Sequence, residues 1–232
     1  MVDSRMIEKG EVVAVTTTEL VDALSAARAS DRLRAALEVG TGADPRAAEA
    51  LVARCAVEPD FFVRDMLTWA LCRLPVDSVV PRLVTELASG CTQARAQALH
   101  TLSKIGDGSA WPAVAEAVHD ADDDVARSAW RAAVALVPPG EDAALATDLA
   151  AELGRGDRDL QLSLSRALVT LGESILPALD TAATSVDAAV RAHADATRAL
   201  SADPDSGFAL SLEVAKRVAV AGSDEEQTGA DR

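Results

Sequence analysis

Apolar and polar positions follow a rhythm along this chain that restarts about every thirty residues. Aligned on Val63-Arg64, Ala94-Arg95, Ala126-Arg127, Leu160-Gln161 and Val190-Arg191, the segments are separated by steps of about 31, 32, 34 and 30 residues, the length of a helical repeat unit. With the first residue of each pair as position zero, position 4 holds Leu67, Ala98, Trp130, Leu164 and Ala194. Position 8 holds Leu71, Leu102, Val134 and Leu168, and position 11 holds Leu74, Ile105, Val137 and Leu171. Positions 0, 4, 8 and 11 share one side of an α-helix, so they form a core stripe. The last unit departs from the stripe at Arg198 and Ser201, as a terminal unit does when one side meets water.

A second marker repeats in step. Pro81, Pro112 and Pro177 each open an apolar segment after the stripe, and proline is tolerated in the first turn of a helix, where its missing N–H would be unbonded anyway. Gly106, Asp107, Gly108, Gly172 and the Pro138-Pro139-Gly140 break supply helix-end chemistry. Each unit is therefore helix, tight turn, helix. The pattern predicts helices over 19–29, 31–39, 45–57, 60–74, 79–89, 92–105, 110–119, 123–137, 141–153, 158–171, 174–184, 187–201 and 205–220. Thr16 and Glu19 form a candidate capping box for the first of them. The expected fold class is all-α, a solenoid of about six stacked antiparallel helix pairs over residues 18–221. An N-terminal segment, 1–17, shows no settled pattern. The small, polar, acidic residues 222–232 read as a disordered tail.

The residues around the alignment resemble HEAT repeats. That family carries an acid before the second helix, then Val-Arg, then an Ala/Leu stripe, as in Asp60-Phe-Phe-Val-Arg64, Asp123-Asp-Val-Ala-Arg127 and Asp187-Ala-Ala-Val-Arg191. The resemblance covers about 30–220. It implies that these Asp and Arg residues form a ladder between successive units, interrupted where Gly90-Cys91-Thr92 replaces the acid and where Gln161 replaces the arginine. It also implies that the second helices line a concave surface.

Composition sharpens this picture. Hydrophobic residues make up 49% and aromatics 3%, with no Tyr, so the core is built from small and aliphatic side chains that let helices approach closely. The net charge of -15 repels phosphate backbones and argues against direct binding of nucleic acid. Cys55, Cys72 and Cys91 form neither a disulfide framework nor a zinc-spaced cluster. With no signal core and no apolar run long enough for a bilayer, the expectation is a cytoplasmic protein without membrane contact; the oligomeric state is left open.

Candidate chemistry concentrates between Asp60 and Arg73, which holds Phe61, Phe62 and Trp69. These aromatics either fill a wide gap in the Ala-rich core or anchor a partner. The side of the second helices opposite the stripe carries Trp69, His100 and Arg166 at position 6, with Asp65, Arg73 and Lys104 beside them. These six residues form the candidate partner-binding groove. No phosphate loop, nucleophile elbow or metal-ligand spacing is present, and the Asp120–Asp124 run reads as a helix cap rather than a cation loop. No catalytic residue, metal or cofactor is therefore expected. The reading is a non-catalytic adaptor or regulatory scaffold for a protein or peptide. Two HEAT-like enzyme groups stand as alternatives, alkylpurine DNA glycosylases and bilin lyases, as does a structural subunit of a larger assembly.

Overall fold

An aspartate side chain starts most of the second helices. Asp60 accepts from the N–H groups of Phe62 and Val63, Asp122 from Asp124 and Val125, Asp157 from Leu160, and Asp187 from Ala189. Such caps satisfy donors that no helical carbonyl can reach. In the computed structural model, residues 17–203 are described; the expected helix over 205–220, the tail and nearly all of the N-terminal segment lie outside the described residues. Within them six helix pairs follow one another. They are α1 (Thr17–Ala23) with α2 (Ala29–Gly42), α3 (Ala48–Val57) with α4 (Phe61–Arg73), and α5 (Val76–Glu86) with α6 (Thr92–Ile105). Then come α7 (Trp111–Glu116) with α8 (Asp123–Leu136), α9 (Asp142–Ala150) with α10 (Arg158–Thr170), and α11 (Leu176–Ala183) with α12 (Ala188–Ala202). Among the described residues there is no strand.

The second helices stack in one row, α2 on α4, α4 on α6, α6 on α8, α8 on α10 and α10 on α12. First helices pack beside them, with α3 on α5 and α9 on α11. This is the all-α, HEAT-like solenoid that the periodicity implies. The stripe lies where the repeat puts it: Val63, Leu67, Leu71, Ala98, Leu102, Ala126, Leu160, Leu164 and Leu168 are all buried. Trp130 is fully enclosed, and its indole N–H donates to Val118 O at 3.0 Å, so the one large polar handle in the core is satisfied. Ile105, Val134 and Val137 sit at the core's margin.

Several helix boundaries differ from the sequence expectation, and two of them show a physical cause. The helix expected over 19–29 ends at Ala23. Leu24, Ser25 and Ala26 bond back three residues, and the Arg32 guanidinium takes the carbonyls of Ala26 and Ala27, both at 2.9 Å. Pro81 does not open a helix. Pro75, extended at φ -56 and ψ 131, precedes α5, and Pro81 lies inside it. Pro112 and Pro177 do stand in first turns.

Candidate functional site

The arginine of the Val-Arg motif has a structural use that the sequence pattern does not reveal. Arg64 Nη1 donates to Glu58 O and Pro59 O, and Arg191 Nη1 to Ser185 O and Val186 O. Each fastens the turn of its own unit. Arg32 makes the same two bonds in the first unit, where Asp31-Arg32 had hidden the motif. Gln161 replaces the arginine functionally as well as in position, donating to Gly156 O at 3.1 Å. The ladder expected to break at the third unit does not. There Thr92 donates to Asp122 Oδ2 at 2.9 Å, Arg95 pairs with Asp120, and Gln93 donates back to Cys55 O and Glu58 O. Thr92, adjoining the missing acid, thus carries one of the cross-unit ties itself.

Glu58 is the strongest electrostatic feature, and sequence reasoning missed it. Its carboxylate is wholly buried, paired with Arg32 through two bonds of 2.7 Å and with Arg54 Nη2 at 2.6 Å. The Asp60 N–H adds a bond of 2.9 Å. Burial opposes the charge, but Arg32, the Asp60 amide and Arg54 outweigh it and hold the acid at about 2. Glu58 follows the end of α3 and falls outside every periodic position, so no pattern singles it out. Its place is structural, tying the first unit to the second.

The free face of the second-helix row carries two adjoining recesses. One, of about 790 Å³, spans α4, α6 and α8 and is lined by Phe61, Asp65, His100, Arg127 and Arg131 among others. The other, of about 490 Å³, lies between α8 and α10 and includes Arg127, Arg131, Asp159, Leu162 and Arg166. Arg127 and Arg131 line both, making one trough over four units. No first-helix residue lines either recess.

Of the six groove candidates, three line the recesses and three do not. Asp65 and His100 line the larger recess and Arg166 the smaller. His100 is half-buried and its pKa is lowered, first by burial and then by the charges of Lys104 and Arg131, with Asp65 acting against them. Lys104 is thus within electrostatic reach of His100, although it and Arg73 are exposed and line neither recess. Trp69 stands outside both recesses. It is 38% exposed, with its ring lying on α2 where Gly40 lacks a side chain. A Cβ there would sit 2.5 Å from Trp69 Cζ3. Phe61 and Phe62 do not fill a core gap. They are 66% and 72% exposed, pack edge to face at 5.7 Å, and Arg64 lies 6.0 Å above the Phe61 ring.

The histidines outside the groove have different environments. His193 is buried between α10 and α12, where Nδ1 accepts from the Gly154 N–H at 3.0 Å. Nε2 lies 2.9 Å from Gln161 O and 3.0 Å from Ser165 Oγ, which meets Thr197 at 2.7 Å. Burial pushes this imidazole down to about 4, so it is neutral. Ser165, His193 and Thr197 are all fully buried and form a polar cluster inside the stack. His119 lies between Glu152 at 2.6 Å and Asp148 at 2.9 Å, and their hydrogen bonds raise its pKa. Among the described residues no group of His, Cys, Asp and Glu has a metal-holding arrangement. The three cysteines are free, and burial drives the Cys55 thiol up to about 12. None of the described helices is long and apolar enough to cross a membrane. The Asp120–Asp124 run caps α8, with Asp120 accepting from the Asp122 N–H.

The family model described as HEAT repeats matches residues 58–136, from the buried acid to the end of α8. Among solved structures, the complex of CpcE and CpcF of phycocyanin lyase from Nostoc sp. PCC7120 is 19% identical, with 85% of this chain and 80% of that chain covered at a TM-score of 0.46. An engineered protein is 20% identical, covering 76% of this chain and 92% of that one at a TM-score of 0.43. A designed armadillo repeat protein is 15% identical, covering 77% and 97% at a TM-score of 0.40. No curated protein matches the chain.

Proposed function

We propose, for a chain whose residues 58–136 are HEAT repeats, that it is a non-catalytic interaction scaffold that holds a protein or peptide against the exposed face of its second helices. The observation that carries this reading is the continuous trough over α4, α6, α8 and α10, with Arg127 and Arg131 shared by both recesses. A solenoid presents such a face as a rigid array, since each unit is braced only by its neighbours and the surface follows the stack. Arginine, a residue enriched in binding hot spots, lines the trough at Arg64, Arg127, Arg131 and Arg166. Trp69 and Leu37, 38% and 42% exposed, extend it with apolar surface toward the first unit.

The test is capture of partners from native lysate by the full chain and by a Trp69→Ala, Arg166→Ala variant whose helicity matches the wild type. The expected outcome is a protein retained by the wild type, lost by the variant, and bound again when both are mixed as purified proteins. A partner held equally by both forms moves the interface to another face and ends this reading.

A further inference from the structure

Three arginines on the trough form no ion pair, although Asp159 lines the same recess and Asp65 and Asp124 the adjoining one. Among the described residues the side chains of Arg127, Arg131 and Arg166 enter no hydrogen bond or ion pair, and all three line the recess between α8 and α10. Arg127 Nε is in addition buried without a partner. Arg32, Arg54, Arg82, Arg95, Arg155 and Arg198 are by contrast paired with carboxylates, and Arg28, Arg34 and Arg73, which are not, line neither recess of the trough. Arg127 also occupies the unit position at which Arg32, Arg64 and Arg191 are consumed by turn carbonyls. In the fourth unit alone of those four, this arginine is released from the turn and turned to the trough.

We propose that this face takes an extended acidic segment of a partner protein, its carboxylates pairing with Arg127, Arg131 and Arg166. The proposal rests on the scaffold reading and specifies the chemistry of the partner. A guanidinium fork matches a carboxylate with two parallel bonds, more selectively than an ammonium. Spacing agrees as well. Arg127 and Arg131 stand four residues apart on α8, about 5–6 Å, and packed helices lie about 8–10 Å apart, which places Arg166 on α10 within one further step. Alternate side chains of an extended strand are about 7 Å apart, so successive carboxylates on one side can meet successive arginines. Partial burial and then the like charge of Arg127 lower the Arg131 pKa, and the opposite charge of a bound carboxylate offsets them.

The trough is also polar along its length. Arginines occupy the α8–α10 end, whereas Phe61 lines the α4 end, and Trp69 of α4 and Leu37 of α2 expose apolar surface outside the recesses. The matching segment therefore carries acids at one end and a large aliphatic side chain at the other. A nucleic acid is the poorer fit, because a duplex presents a phosphate charge about every 1.7 Å and would meet the field of a chain at net charge -15.

Fluorescence anisotropy of the full chain with a labelled twelve-residue peptide, Glu-rich with Leu at one end, tests this. A Lys-rich peptide, a neutral Gln/Ser peptide and a single-stranded oligonucleotide serve as the other probes. The Glu-rich peptide is expected to bind best, more weakly at high salt, and about tenfold more weakly to Arg131→Ala, Arg166→Ala. Both residues are exposed, and circular dichroism checks that the variant stays folded. Arg131→Lys, Arg166→Lys should fall between, having charge without the fork. Arg46→Ala, Arg82→Ala removes the same charge from the first-helix side and should leave affinity unchanged. No saturable binding of the Glu-rich peptide, equal loss in both alanine variants, or preference for the oligonucleotide overturns the proposal. Preference for the neutral or basic peptide, weakened by Trp69→Ala, overturns the acidic partner while leaving the scaffold reading standing.

Discussion

Glu58 shows how one residue outside the repeat pattern can hold two units together. Its carboxylate is fully buried between Arg32 of α2 and Arg54 of α3. Removing the charge leaves Arg32 buried without its acid, a change that costs about 3–5 kcal/mol. Glu58→Gln should therefore lower the midpoint of urea unfolding substantially at pH 7. The acid's folded pKa of about 2 lies below its ordinary 4.5, so its contribution is present above 4.5 and lost as pH falls toward 2. His193 acts in a higher window. Its folded pKa of about 4 lies below the usual 6.5, so between these values the unfolded chain binds a proton that the fold refuses. Stability should fall on acidification from pH 6.5 to 4, by up to about 1.4 kcal/mol per pH unit. Thermal melts across that range should show the slope, flattened in His193→Gln. His119 has the opposite sign, since its raised pKa stabilises the fold below 6.5 and this is lost as pH rises through the folded value. At 43% side-chain exposure its pairs are screened, so His193 dominates.

At the scale of elements, α2 approaches α4 closely at Gly40. Gly40 is buried, and a side chain there would meet Trp69 Cζ3 at 2.5 Å and Ala70 Cα at 2.8 Å. Alanine in a helix is ordinarily favoured over glycine by about 1 kcal/mol. Here the backbone contact cannot rotate away, and overpacking of about 1–3 kcal/mol prevails. Gly40→Ala is thus expected to lower the Tm, with Trp69→Ala in the same chain restoring only part of it, because Ala70 Cα remains. A rise in Tm would mean that α2 and α4 separate freely. The periodicity located the second helices to within one or two residues at most ends, and α6 at both. It erred at α1, where the Arg32 side chain competes for the turn carbonyls, and at α5, where an interior proline looked like a starting one. The first error comes from side chain to backbone bonding and the second from a proline accommodated inside a helix, and no hydrophobic pattern encodes either.

For the molecule as a whole, stability is a sum over units and their neighbour contacts. The unit of α7 and α8 is braced on both sides and encloses Trp130, whereas α1 lies at the start of the described stack. Amide exchange followed by mass spectrometry should find α8 among the slowest segments and α1 among the fastest. Glu58→Gln should quicken exchange in α2, α3 and α4 while leaving α10 and α12 nearly unchanged. A uniform increase across all helices would mean that the stack opens in one step rather than unit by unit.

The sequence by itself determined the repeat, its phase and its buried stripe, because helical burial imposes a period that a row of Leu, Val and Ala must obey. It also placed Asp65, His100 and Arg166 on a common face, since position within a unit sets direction. What it could not determine was how each polar side chain is used. Arg64, Arg95 and Arg127 hold the same place in their motifs, yet one fastens its own turn, one pairs across units and one remains unpaired at the trough. Glu58, silent in the pattern, became a buried partner of two arginines, and Phe61 and Phe62, which looked like core, are exposed. Periodicity reports which side of a helix faces inward. The pairing of charges and the fit of rings depend on which neighbouring unit comes within 3 or 4 Å, and only the stacked helices decide that.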